Sequence, residues 1–167
     1  TRFLYRTTSE RGTPIVGSGV VIAPAGAPAG SRPVIVWAHP TTGVMPPCSP
    51  SLTGTFFEKV QGLQAMLDRG FVVVAPDYPG LGTPGPHAYL VGDAAAHAVL
   101  DAVRAVKALP LGTGNRFAVF GHSQGGHAAL FTGLVAHRYA PELELVGVAA
   151  AAPATDLGTL LRDDYAS

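Results

Sequence analysis

Gly121-His122-Ser123-Gln124-Gly125 is the stretch on which the reading of this chain turns. A β-like run, Arg116 to Phe120, leads into it, and a helix-like run, Gly126 to Tyr139, leads out of it. Gly-x-Ser-x-Gly between a strand and a helix predicts a sharp turn with the serine at its apex and its hydroxyl clear of the C-terminal edge of a sheet. The flanking glycines are expected because such a turn brings their backbones too close to other atoms to tolerate a Cβ. The backbone N–H of Gln124, at the helix start, would point to where an oxyanion forms. A chain with 21 glycines can match this pattern by chance. The strand before it and the helix after it are what make Ser123 the candidate nucleophile.

Outward from the pentapeptide, strands and helices alternate. Upstream, Phe3–Thr7 and Ile15–Ile22 read as two antiparallel strands joined around Gly12, and Pro24–Pro33, with Gly26, Pro28 and Gly30, reads as a loop. Val34–Ala38 and Phe71–Ala75 are continuous apolar runs, the pattern of strands covered on both faces. Between them, 39–55 is a long proline-rich loop, and loops of that length in a compact domain are usually functional. Phe56–Arg69 reads as one helix, with Phe57, Val60, Leu63, Gln64 and Leu67 on its period and Gly70 just past its end. Asp77–His87 is a glycine-rich loop, and a helix is expected over 89–109 with Val99, Leu100, Val103 and Val106 facing the core. Gly112–Asn115 reads as a turn before the Phe117–Phe120 strand, and Leu145–Ala151 as a last apolar strand stopped by Pro153. Alternating strands and helices predict βαβ units and an α/β fold with a mostly parallel sheet containing Val34–Ala38, Phe71–Ala75, Phe117–Phe120 and Leu145–Ala151.

The composition bounds the partners. The 167 residues suffice for one domain with a real core, read here as a single unit over 1–167. Eleven basic and eleven acidic residues cancel, which argues against a nucleic-acid partner or a surface held by anionic lipid. The apolar fraction is 47% and the charged fraction 13%, against about 25% charged in an average domain. So little polar material implies that part of the surface is covered by something else, or that the chain belongs to a larger protein. No apolar run approaches the ~20 residues of a membrane span. No signal peptide is read, and Thr1 leads straight into a strand, so the N-terminus reads as processed or truncated. Cys48 is the only cysteine and cannot form an internal disulfide, which leaves the redox compartment open.

Four stretches together carry a resemblance. They are Cys48-Ser49-Pro50-Ser51; Asp77-Tyr78-Pro79-Gly80-Leu81-Gly82; Val99-Leu100-Asp101-Ala102-Val103-Arg104-Ala105; and Gly121–His127 with Ala140-Pro141-Glu142-Leu143 and Val146-Gly147. The chain resembles the secretory lipase family, similar to fungal lipase A, within the α/β-hydrolase superfamily. The resemblance implies a carboxylic-ester hydrolase, often of acyl lipids, exported from the cell and needing no metal or cofactor. It also implies an extracellular setting, in which Cys48 would pair with a cysteine outside this chain. In this fold the acid and histidine follow in the order Ser…Asp/Glu…His on loops after later strands. The resemblance further implies a cap region after the strand that here is Leu145–Ala151. The chain therefore reads as an α/β-hydrolase core without the cap and C-terminal strands, its triad acid and histidine supplied by another segment or a second chain.

A serine hydroxyl needs a general base within hydrogen-bond reach. Six histidines are present. His122 flanks the serine but diverges from it on the turn. His127 is expected to pack against the sheet, and His137 sits at the far end of its helix. His97, one turn before Asp101, reads as a structural pair. His87 lies in a loop that could reach the cleft. His39 ends the third strand, where the fold places its oxyanion loop. There the sequence is His39-Pro40-Thr41-Thr42-Gly43; Pro40 has no N–H to donate, so Thr41 is the candidate donor and Thr42 the second. Asp156 is a weaker candidate acid, read more readily as a solvated residue. Three functions follow: an ester hydrolase acting through a Ser123 acyl-enzyme, an acyltransferase using the same serine, and a non-catalytic core that binds a partner or acyl ligand.

Overall fold

The structure is a computed structural model that describes residues 1–26 and 30–166; the part of the 24–33 loop with Pro28 lies outside them. Six strands form one sheet: β1 (Arg2–Thr8), β2 (Pro14–Ile22), β3 (Arg32–Ala38), β4 (Val72–Pro76), β5 (Thr113–His122) and β6 (Glu144–Ala151). Their spatial order is β1-β2-β4-β3-β5-β6. β1 and β2 are antiparallel, joined by a turn with Gly12 at φ 77°, and β2 is antiparallel to β4. The pairs β4–β3, β3–β5 and β5–β6 are all parallel, as the four apolar runs predict.

The continuous apolar character of β3 is resolved by period two. Val34, Val36 and Ala38 join the core beneath α3 (Gly92–Lys107) and α4 (Gln124–Tyr139). Trp37 faces the opposite side, in a smaller cluster with Val73, Ala75, Phe56 and Val60. On α3, Val99, Leu100, Val103 and Val106 are all fully buried, the stripe expected from the sequence.

Several expectations are corrected. The segment 56–69 is not one helix but α1 (Phe56–Lys59) and α2 (Leu63–Asp68). The break lies where Val60 turns extended and Gly62 takes φ 72°. It leaves Gln61 free to accept a 2.9 Å hydrogen bond from the buried Trp37 Nε1. Phe56, not Phe57, therefore faces the core, and Phe57 is exposed. Gly70, at φ 83°, does end the second piece. α3 starts at Gly92 rather than 89 and ends at Lys107, and β5 extends back through Thr113 into the expected turn. A helix, α5 (Leu157–Ala166), follows β6 where none was read; it buries none of its residues.

The expectation that β6 is covered on both faces also fails. Among the described residues β6 pairs only with β5, and Val146 and Val148 are exposed. Beside it a groove of about 410 Å³, lined by Ile35, Met66, Phe120 and Val148, opens on the α2 side of the sheet.

Candidate active site

Ser123 stands between the last residue of β5 and the first of α4 with φ 58° and ψ −119°. A non-glycine residue at positive φ is costly for an L-amino acid, about 1–3 kcal/mol, and persists only where its surroundings hold it. The surroundings here are the ends of two flanking strands. The Ser123 N–H donates to the Ala151 carbonyl at the end of β6 (3.0 Å), and the Ser123 carbonyl accepts from the His127 N–H (3.0 Å). The glycines answer the steric demand expected of them. A Cβ on Gly121 would run into the Gly125 carbonyl and lie 2.6 Å from the Ala38 carbonyl oxygen. A Cβ on Gly125 would overlap that same oxygen and lie 2.9 Å from the carbonyl oxygen of His39. A Cβ on Gly126, one residue on, would lie 2.9 Å from the Ala151 carbonyl oxygen, so the close approach extends one position beyond the motif.

The 39–43 loop therefore begins against the turn. His39 is fully buried, and its Nδ1–H donates to the Pro40 carbonyl (2.7 Å). Burial outweighs that hydrogen bond and lowers its pKa from 6.5 to about 4, so the ring is neutral. It lies against the Tyr78 ring, 4.2 Å between centroids, and the Tyr78 hydroxyl donates to the His39 carbonyl (3.0 Å). Desolvation raises the Tyr78 pKa far above its ordinary value, which keeps that hydroxyl a donor. Thr41 is exposed, and its hydroxyl shares a 2.9 Å hydrogen bond with the Tyr89 hydroxyl. Thr42, the second candidate donor, has a buried hydroxyl with no partner among the described residues.

Gln124 is buried at the head of α4. Its side-chain nitrogen lies 3.1 Å from His87 Nε2. His87 Nδ1 faces the Pro79 carbonyl at 2.9 Å; a carbonyl only accepts, so the proton is on Nδ1 and Nε2 accepts from Gln124. His87 does reach the cleft, but its free lone pair is turned to Gln124 rather than to the Ser123 hydroxyl.

The other histidines are placed as follows. His127 donates from Nδ1 to the Ala154 carbonyl (2.8 Å), so it fastens the chain beyond β6 rather than simply packing on the sheet. His97 stacks on Tyr139 at 3.9 Å and its Nδ1 donates to the Thr8 carbonyl (3.1 Å). The expected His97–Asp101 pair is thus replaced by a bridge: Asp101 accepts from the Tyr139 hydroxyl (2.7 Å) and from Arg104 (2.8 Å). His122 and His137 are exposed. Asp156 is the N-cap of α5, accepting from the Thr159 N–H (3.0 Å) and hydroxyl (2.8 Å), and these bonds hold its pKa below the ordinary carboxylate value. Asp77 is buried, accepting from the Ser18 hydroxyl (2.7 Å) and the Ser51 N–H (3.1 Å). Among the described residues no histidine ring nitrogen is within hydrogen-bond distance of the Ser123 hydroxyl, and no cluster of histidine, cysteine and carboxylate groups could hold a metal ion. Cys48 is a free thiol within this chain, packed against Gly43.

Sequence reasoning missed Tyr78 and the His87–Gln124 bond. The signal for the second was Gly80: at φ 82°, a Cβ there would lie 2.5 Å from the His87 backbone nitrogen, so the loop folds back on itself and delivers His87 to the turn.

Comparison with known proteins bears on this arrangement. The family profile described as Secretory lipase matches residues 52–164. Lipase 7 of Candida albicans is 40% identical over 90 residues, covering 52% of this chain and 20% of that protein. The "probable inactive lipase" of Mycobacterium tuberculosis is 29% identical over 179 residues, covering 97% of this chain and 38% of that protein. The crystal structure of Candida antarctica lipase A in its closed state superposes with a TM-score of 0.74 at 25% identity, over 89% of this chain and 36% of that one. The chain thus spans between a fifth and two fifths of the length of these relatives.

Proposed function

From the premise that the chain belongs to the secretory lipase family, we propose that it carries the nucleophile turn of an exported carboxylic-ester hydrolase acting on acyl esters or lipids. Ser123 is the nucleophile. Its Oγ attacks the acyl carbonyl carbon, and the carbonyl oxygen becomes an oxyanion held by the backbone N–H groups of Gln124 and Thr41. The oxyanion collapses, the alcohol leaves with a proton, and water then releases the acid from the acyl-enzyme. The observation that carries this reading is the strained backbone of Ser123 at the strand–helix junction, held by the ends of β3 and β6. A stabilising network has no need of such a residue, whereas a nucleophile presented at a sheet edge does. The general base and its acid come from a part of the protein outside this chain, since the six histidines are engaged elsewhere or point to solvent.

The test is hydrolysis of a short-chain nitrophenyl ester, with labelling by a fluorophosphonate read by mass spectrometry. A longer protein containing this chain should hydrolyse the ester and carry the label on Ser123, and Ser123→Ala should lower kcat by at least about 10³-fold. The 167-residue chain alone should be a poor esterase, left with the modest rate that an oxyanion site provides without a base. Turnover unaffected by Ser123→Ala refutes the reading.

A second reading is favoured by the mycobacterial relative, whose name marks it as inactive and which matches nearly the whole chain. On that reading the core binds an acyl ligand without cleaving it. Fatty-acid binding by a longer protein that shows neither label nor turnover would select it.

A further inference from the structure

The two backbone groups assigned to the oxyanion, on Gln124 and Thr41, belong to segments far apart in sequence, and one loop joins them. That loop runs from Asp77 to Val91. At Gly80 it turns with φ 82°, and the absence of a Cβ lets the Pro86–His87 backbone close over it. The His87 ring is then fixed on three sides. Its Nδ1–H donates to the Pro79 carbonyl, its face is stacked near Tyr78 (6.1 Å between centroids, 16° between planes), and Tyr89 lies across it at 5.9 Å. From that position Nε2 accepts from the Gln124 side chain at 3.1 Å, while the Tyr89 hydroxyl bonds the Thr41 hydroxyl at 2.9 Å.

Gln124 is 3% exposed, and its side-chain oxygen is buried without a partner among the described residues. Its amide is therefore held by the His87 contact, and losing that contact would free a buried polar group to seek another partner. The cheapest response is a shift of the side chain together with the first turn of α4, which carries the Gln124 backbone N–H. A displacement of well under 1 Å in an oxyanion donor is enough to weaken a transition state without weakening ground-state binding.

We propose that His87 is a positioning residue of the oxyanion site: as the Nδ1-protonated imidazole it holds Gln124 through Nε2 and braces Thr41 through Tyr89. The assignment rests on the reading of Ser123 as nucleophile. It does not make His87 the base, because its one accepting nitrogen is occupied.

The test uses the hydrolytically competent protein with His87→Ala and His87→Gln. Glutamine can place an acceptor oxygen where Nε2 lies; alanine cannot. His87→Ala should lower kcat about tenfold or more with KM within about twofold. His87→Gln should recover most of that loss. Nitrogen-15 NMR of the unaltered protein should show His87 protonated on Nδ1. An unchanged kcat in His87→Ala, a loss confined to KM, or a loss that tracks Tm and is not rescued by glutamine would each overturn the proposal. So would an Nε2-protonated ring, whatever the activities. If the unaltered protein shows no Ser123-dependent turnover, the functional reading fails and the catalytic role with it; the tautomer still decides separately whether His87 holds Gln124.

Discussion

His39 should make the protein acid-labile by an amount that can be worked out. The native ring stays neutral down to about pH 4 because it is fully buried, while in the unfolded chain it takes up a proton near 6.5. Between those values the unfolded state binds more protons than the native one. The stabilisation is therefore complete above pH 6.5 and is lost as the pH falls toward 4. The slope is about 1.4 kcal/mol per pH unit, so about 2 kcal/mol disappears between pH 6.5 and 5 and about 3 kcal/mol by pH 4. That is a large share of the roughly 5–15 kcal/mol that holds a domain together. Of the titratable groups facing the ring, Asp77 favours the proton and His87 disfavours it, and neither matches the effect of burial. The assay is urea unfolding at pH 7.5, 6 and 5, compared with His39→Asn. Asparagine keeps a donor for the Pro40 carbonyl and does not titrate. Whatever its own stability, its midpoint should fall less steeply with acid, because the remaining histidines and carboxylates are common to both proteins. Parallel pH profiles would refute the argument.

Two further outcomes follow from the turn at Ser123. Ser123→Gly should be more stable than Ser123→Ala by about 1 kcal/mol, since glycine takes φ 58° at little cost while alanine keeps the strain; equal thermal midpoints would show that the strain is not there. Gly125→Ala should destabilise by at least about 3 kcal/mol or abolish folding, because its methyl would overlap the Ala38 carbonyl, backbone that cannot move aside; a soluble variant with a near-normal urea midpoint would contradict that contact.

The parallel sheet was legible because Val34–Ala38, Val72–Ala75 and Phe117–Phe120, within β3, β4 and β5, are unbroken apolar runs, the pattern of strands covered on both faces. The same rule misled at β6, where Val146 and Val148 carry the composition of a covered strand without the cover. The turn at Ser123 was legible because the Gly-x-Ser-x-Gly pattern lies between a strand-like and a helix-like run, although the carbonyls its glycines make room for, those of Ala38 and His39, come from far upstream. The break between α1 and α2 was not, because a helical period continues through Gly62 and only the partner of the Trp37 indole, a tertiary matter, decides where Gln61 points. The histidines illustrate the same limit. Sequence spacing suggested that His97 meets Asp101, but the pair is bridged through Tyr139 from another helix. The link from His87 to Gln124 joins a loop to a helix head that no spacing rule connects.

The strained serine also has a place in the order of folding. Nothing within the pentapeptide holds Ser123 at positive φ; the clamps are the ends of β3, far upstream, and β6, downstream. A chain still being assembled has no reason to adopt that conformation until both strands have docked on β5. The turn should therefore form after the folding transition state, and relieving it with glycine should slow unfolding while leaving the folding rate almost untouched. The feature that would make the serine reactive is thus added last, and lost first, in the life of the fold.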